Sequence, residues 1–474
     1  MKKRVLVLGN MPQRLQDQIL LCQKLKRIDS CLSFLFLLYD DRNKNLVRES
    51  GFSVESFKTI SGRLKSKSSK LLSLRRFASF LYRHFYYSTF LTPFHVQKYL
   101  KEFRTEYNWI NDMFSQFEPD IVMLNGDRHL GLEPSVLKVC KENGIPTFVP
   151  YLVYSSEVGP MISNQKKPWL TLSWNSPFIL RWLVKRMPQS ILKAKKLECI
   201  FYNPSTQIAL QKFGVLSDYP WYIGNGLVDM VCMDSSHSLN RYTSNRVPDS
   251  KLRIVGDAAY DNLYLAYTNR INVRETLMNR YGGDSLKKVI LCALPQFAEH
   301  NLMDWDQHWK EIHFIIDTLD QQNQNLFLSL HPKMKREDYE FLEQKYKCHI
   351  LEERLYDVMP IGDIFVATFS STVIWAAICG VKSVLVDFYD FDVNIFDFLQ
   401  SVQCVKNKEN FLSTVQNRLM QKQDFSADWK RLSRDLVFDG GVINRYYTLI
   451  DSLTTKPDES REMVLPNFSD SSTA

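Results

Sequence analysis

None of the nine cysteines (Cys22, Cys31, Cys140, Cys199, Cys232, Cys292, Cys348, Cys379 and Cys404) belongs to a Cys-x-x-Cys pair. Their scatter excludes a zinc knuckle or a disulfide framework read from spacing, and it suits a reducing compartment. No stretch approaches the ~18 apolar residues of a membrane span; "CLSFLFLLY" (31–39) is half that. The start "MKKRVLVLGN" has too short an apolar run and no small-residue cleavage site, so it reads as a first β-strand and not as a leader. A complete GxGxxG or P-loop is also missing, which leaves dinucleotide and ATP chemistry without support. No His/Cys cluster stands at ligand spacing, so neither a metal nor a cofactor is expected. Acids are absent from two long segments, 58–101 with ten Lys/Arg and 166–196 with eight.

What is present is an ordinary globular balance, 45% apolar and 24% charged in 474 residues, enough for two domains. The net charge of +8 permits an anionic partner without naming one. Strand and helix patterns alternate. "RVLVLGN" (4–10) precedes a helical stretch 13–26 and the strand 32–39, and 119–153 reads strand, loop, helix, stop at Gly144, strand. A helix capped by Ser205 follows. In the second half, strands at 251–257, 287–296, 325–333, 349–353, 363–371 ("DIFVATFSS") and 383–388 alternate with helices at 306–322 and 336–347 and a third running through Gly380. The expected fold is α/β, two Rossmann-like doubly wound domains facing a central cleft. We expect a first domain over 1–240 with basic aromatic insertions and a second over 250–442. A terminal helix, 443–455, would cross back, and 456–474 would form a flexible tail.

Doubly wound sheets bind ligands at the carboxyl ends of their strands, and polar residues gather there. "FVATFSST" ends a strand in Ser370, Ser371 and Thr372, which can cap a helix or hold a phosphate. "SLHPK" places His331 and Lys333 after another strand. "IVGDAAYDNL" puts Gly256 and Asp257 at a turn, and "LCALPQFAEHN" ends in a loop with Gln296 and Glu299. Each alone is more often a turn or a cap. In the first domain "LNGDRHLGLEP" presents Asp127, Arg128 and His129 after a strand, with Asp127 either a catalytic base for an acceptor hydroxyl or the cap of the next helix. Glu157 is the second candidate base.

The second half resembles the donor domain of GT-B glycosyltransferases of the bacterial surface-polysaccharide type, a set that includes sialyl- and polysialyltransferases, capsular Kdo transferases and CDP-glycerol glycerophosphotransferases. The matching stretches are "SLHPK" (329–333), "FSSTVIWAAICGVKSVLVDF" (369–388), "FDGGVINRYY" (438–447) and "LRIVGDAAYDNL" (252–263). The resemblance covers roughly 250–450 and implies contact of His331 with the donor's phosphate or nucleotide, and a phosphate held by Ser370, Ser371 and Thr372. Lys333 adds charge nearby. It implies a nucleotide-sugar donor, CMP- or CDP-type favoured, with UDP and GDP open. Where epimerase relatives carry a ribose-gripping Glu, this helix reads "VIWAA".

The basic segments carry Arg75, Arg76 and Trp182 among aromatic residues. They suit a glycan or lipid-linked acceptor or an anionic membrane surface, and equally a solvated face over a core; no nucleic-acid module accompanies them. The expectation is a cytoplasmic enzyme, peripheral on the inner face of the membrane. It would transfer a sugar to a cell-surface glycan such as capsule or lipopolysaccharide. A glycerol- or ribitol-phosphate transferase on the same fold, and a non-catalytic glycan-binding or assembly protein, are the alternatives.

Overall fold

A computed structural model of the chain describes residues 3–58, 92–152, 170–172, 178–187, 190–194, 197–299, 302–331, 334–368, 370–389, 396, 398–422, 424–425, 428 and 437–455. The chain divides into two compact units: Met1–Met233 with Ser238–Val255 and Asn444–Ala474, and Asp234–His237 with Gly256–Ile443. The tail expected at 456–474 lies outside the described residues.

Among the described residues the first unit has ten strands. β1 (Arg4–Leu8), β2 (Ser33–Asp40), β3 (Ser53–Lys58), β4 (Ile121–Met123) and β5 (Thr147–Val149) are followed by the short β6 (Thr171–Leu172), β7 (Ile191–Ala194) and β8 (Leu197–Ile200), then β9 (Met230–Met233) and β10 (Leu252–Ile254). Seven form a wholly parallel sheet in the order β10-β9-β5-β4-β1-β2-β3, and β6-β8-β7 form a small antiparallel one. Helices on both faces of a parallel sheet demand strands that are apolar throughout. The run Val5–Leu8, fully buried, and the buried Phe34–Leu38 meet that demand. β1 is an inner strand, with Val5 opposite both Phe34 and Ile121. The crossover direction reverses between β1 and β4, because β2 and β3 lie to one side of β1 and the later strands to the other.

The second unit repeats this arrangement. β11 (Val289–Ala293), β12 (Asn325–Ser329), β13 (Cys348–Ile350), β14 (Ile364–Ala367), β15 (Lys382–Val386) and β16 (Val402–Val405) lie parallel in the order β13-β12-β11-β14-β15-β16. Here the reversal falls between β11 and β14. One cluster of buried residues holds Ile290, Leu328, Ile316, Tyr339 and Phe411, and Leu291, Phe327 and Phe365 are fully buried besides.

Three expected elements differ. The strand near 251–257, expected to open the second domain, pairs through Leu252 with Val231 and so closes the edge of the first sheet. The helix expected to start on Ser205 is capped by Asn203, whose side chain accepts from Thr206 N at 2.9 Å. Pro204 occupies the first helical position, where its fixed φ belongs, and this places the cap one residue earlier than Pro204. The helix expected over 336–347 breaks into a 3-10 turn, Arg336–Asp338, and one short helix, Phe341–Lys345. The stop at Gly144 holds, with φ of 63° in the left-handed region that glycine tolerates.

Candidate functional site

β11 has β12 on one side and β14 on the other. The loops after these three strands therefore share the rim where doubly wound sheets leave a crevice. Neighbouring strands lie ~4.8 Å apart, so residues far apart in sequence come side by side. Gln296 and Glu299 follow β11, His331 follows β12, and Ser370, Ser371 and Thr372 follow β14.

The loop after β14 is a tight polar turn. The Ser370 and Thr372 hydroxyls are 2.7 Å apart, and Ser370 Oγ accepts from Thr372 N at 3.3 Å. The helix Val373–Ile378 begins directly after, with no side-chain cap on Thr372. Ser370 thus shapes the turn, while the half-buried Ser371 contributes only its carbonyl, to Ile374 N at 3.1 Å. His331 is half-buried, and its carbonyl accepts from Met334 N at 2.8 Å.

The loop after β11 is held from beneath by residues the motifs did not single out. Tyr339 OH donates to Glu299 Oε1 at 2.6 Å and stands 2.9 Å from His308 Nε2. A phenol has one proton, so with Glu299 taking it the hydroxyl accepts from His308, whose Nε2 carries the hydrogen. Burial lowers the His308 pKa, which keeps this neutral tautomer, and burial raises the Tyr339 pKa. Phe297, fully buried, packs its ring 4.6 Å from Tyr389. Tyr389 OH in turn reaches Glu311 Oε2 at 2.8 Å, and Lys408 pairs with the same carboxylate at 2.6 Å. Two acceptor atoms on this loop, Gln296 Oε1 and Glu299 Oε2, are buried with no hydrogen-bond partner among the described residues. Buried acceptors are rarely left so, and a ligand with N–H or O–H groups would satisfy them.

Gly256 and Asp257 shape the entry into the second unit. Gly256 has φ of 107°, and a Cβ there would come 2.7 Å from Val442. Asp257 is buried, and its Oδ1 accepts from Ala259 N at 2.8 Å.

In the first unit, Asp127 is buried and its carboxylate accepts from Gly224 N at 3.1 Å and Gly226 N at 2.6 Å. It neither caps the next helix nor meets solvent. Burial, foremost, pushes its pKa up despite those two N–H groups. The capping comes from the other direction. Glu133, in the first turn of the helix Glu133–Asn143, accepts from Arg128 N at 2.8 Å and His129 N at 2.7 Å. Arg128 is also buried, its guanidinium donating to Pro220 O at 3.2 Å and to Trp221 O. His129 alone of the three keeps partial exposure, 24% of its side chain, with Nδ1 3.3 Å from Glu133 Oε2. Trp182 is exposed, with the Arg186 guanidinium 3.7 Å above its ring. Glu157, Arg75, Arg76 and Lys333 lie outside the described residues, as does Asp390-Phe391-Asp392, a stretch of Asp-x-Asp form. Among the described residues no group of three or more His, Cys, Asp or Glu could hold a metal, and no helix is long and apolar enough to cross a membrane.

Residues 257–385 match the alpha-2,8-polysialyltransferase (POLYST) family model. No curated protein matches. Among solved structures, the calicheamicin glycosyltransferase is similar at 12% identity with a TM-score of 0.52, over 96% of this chain and 98% of that one. The glycotransferase of kitacinnamycin is similar at 13% identity and 0.51, over 95% and 98%. A UDP-N-acetylglucosamine 2-epimerase is similar at 10% identity and 0.50, over 98% and 99%. At such identities the likeness is one of fold: α/β with parallel-sheet, Rossmann-like domains, as in GT-B glycosyltransferases and epimerases.

Proposed function

We propose that this protein is a glycosyltransferase that takes a nucleotide-activated sugar and transfers it to a cell-surface glycan. One observation carries the reading. The stretch similar to the polysialyltransferase family, 257–385, contains all three loops that meet at the β11/β14 reversal. In this reading the 370–372 turn and His331, with Lys333 two positions on in the sequence, receive the donor's phosphate. Gln296 Oε1 and Glu299 Oε2 accept hydrogen bonds from the nucleoside. Neutralising the departing phosphate and fixing its position supply most of the rate. The base that takes the acceptor's proton comes from the first unit. With both Asp127 oxygens facing backbone N–H groups, His129, oriented by Glu133, suits that role better. A CMP- or CDP-activated donor suits the His-Pro and Ser-Ser pair. A glycan or lipid-linked acceptor at a membrane surface suits the basic aromatic segments.

The test is thermal stabilisation by CMP, CDP, UDP and GDP of the wild type and of Ser370→Ala/Ser371→Ala, each against its own ligand-free midpoint. A hundredfold excess over Kd adds about 2.7 kcal/mol. One nucleotide should stabilise the wild type and not the variant. No stabilisation by any of the four would leave the serines as a turn and favour a non-catalytic glycan-binding protein.

A further inference from the structure

The first sheet has its own reversal, between β1 and β4, and a cavity of about 290 Å³ opens beside it. Its walls are the loop after β1 (Gly9, Asn10, Pro12), the end of β2 and the turn beyond it (Leu38 to Asn43), and Leu130 and Gly131 from the loop after β4. We propose that this cavity binds one neutral sugar ring of the acceptor, through Asn10, Asp40 and Asn43 at its polar wall and Tyr39, Leu38 and Leu130 at its apolar one. The choice of a sugar rests on the transferase reading; the site itself rests on what lines it.

Ligand sites commonly run from ~300 Å³ upward, so this one admits a single ring more readily than a chain. Its chemistry is mixed, as a sugar's is. Asn125 Nδ2 donates to Leu8 O at 2.8 Å and to Asn10 Oδ1 at 2.9 Å. With its oxygen engaged, Asn10 has its Nδ2 to offer a ligand. Asp40 Oδ1 accepts from Arg42 N and Nε, at 3.1 and 2.9 Å, and Oδ2 accepts from Arg42 Nη2 at 2.6 Å. A carboxylate oxygen accepts more than one bond, so Oδ2 can still take a hydroxyl. The same pairing cancels the charge of Arg42, and Lys44 nearby pairs with Glu55 at 3.4 Å. A lining whose cation is already matched favours an uncharged ligand over a carboxylate sugar. Gly131, with φ of 92°, lies against the Tyr39 ring, where even a Cβ would be 3.6 Å from Cδ2. The exposed Leu130 beside it offers an aliphatic surface to the C–H face of a ring.

The experiment is saturation-transfer-difference NMR on the full-length protein with galactose, N-acetylglucosamine and N-acetylneuraminic acid, each separately at millimolar concentration. The variants are Asn43→Leu, which removes a polar wall, Leu130→Trp, which fills the opening, and Ser370→Ala/Ser371→Ala. Circular dichroism melts identify any variant that fails to fold. Transfer to a neutral sugar, lost in Asn43→Leu and in Leu130→Trp but kept in the serine variant, is the expected result. Absence of transfer to either neutral sugar overturns the proposal, and so does transfer that survives both cavity variants or that reaches N-acetylneuraminic acid alone. Sugar binding without any nucleotide-dependent stabilisation would sink the transferase reading and leave this site standing.

Discussion

Glu106 is buried, and its carboxyl is pushed up to about 8 from 4.5, chiefly by desolvation, with Lys58 pulling the other way. The folded protein thus binds this proton more tightly than the unfolded chain does. Stability contributed by the neutral form is complete below pH 4.5 and is lost as pH rises toward 8. Glu106→Gln should flatten that slope and raise stability at pH 8 by on the order of 2 kcal/mol, discounted from ~1.4 kcal/mol per pKa unit. Urea melts across this range would show it, and a variant with the wild-type slope would contradict it. Asp127→Ala should cost about 2–4 kcal/mol in the same melts, since it strands two backbone N–H groups, one buried and one half-buried. A variant of native stability would return Asp127 to candidacy as a base. Asp127 was legible as a polar residue after a strand. The loop 224–226 that occupies it lies almost a hundred residues on, and nothing local announces it. His308 and Tyr339 were illegible for the same reason, each an ordinary residue of its own segment until the fold brings them to Glu299.

At the scale of elements, runs of apolar residues closed by a turn gave the strands, and the loops after β11, β12 and β14 could be named because such runs end sharply. Edge membership was not legible. Leu252–Ile254 reads as a strand, but which sheet it joins depends on a partner at Met230–Met233 and not on its own composition. Caps were partly legible, as Asn203 shows beside Ser205. One cap could not be read at all. Asp261 accepts from Val442 N at 2.9 Å and Ile443 N at 3.0 Å, starting the helix Val442–Thr454 from a residue 181 positions earlier. Asp261→Ala should cost about 1 kcal/mol, as a lost N-cap does. Gly256→Ala should cost about 2 kcal/mol, through its positive φ and contact with Val442. Chemical denaturation of each variant measures both, and an unchanged midpoint in either would contradict the corresponding contact.

Across the whole molecule, two units were legible from the doubled strand and helix pattern, while the path of the chain through them was not. The first unit is completed by the last helix. Tyr446 OH accepts from Tyr151 N at 2.9 Å, Arg445 Nε donates to Val255 O at 3.0 Å, and Tyr447 OH donates to Asp29 Oδ2 at 3.1 Å. Lys3 also pairs with Asp451. A chain stopped at residue 441 should therefore show faster trypsin cleavage within 1–255. Equal cleavage rates would show that these contacts add nothing.

That closing helix also sets an order in time. A ribosome releases the amino-terminal residues first, yet the partners of Asp29 and Tyr151, Tyr447 and Tyr446, are made only after the second unit. Domains that fold as units during synthesis do so from the amino end. Here the unit begun first is the one that must wait, with its sheet assembled and its final contacts open, until the second unit has been translated in full.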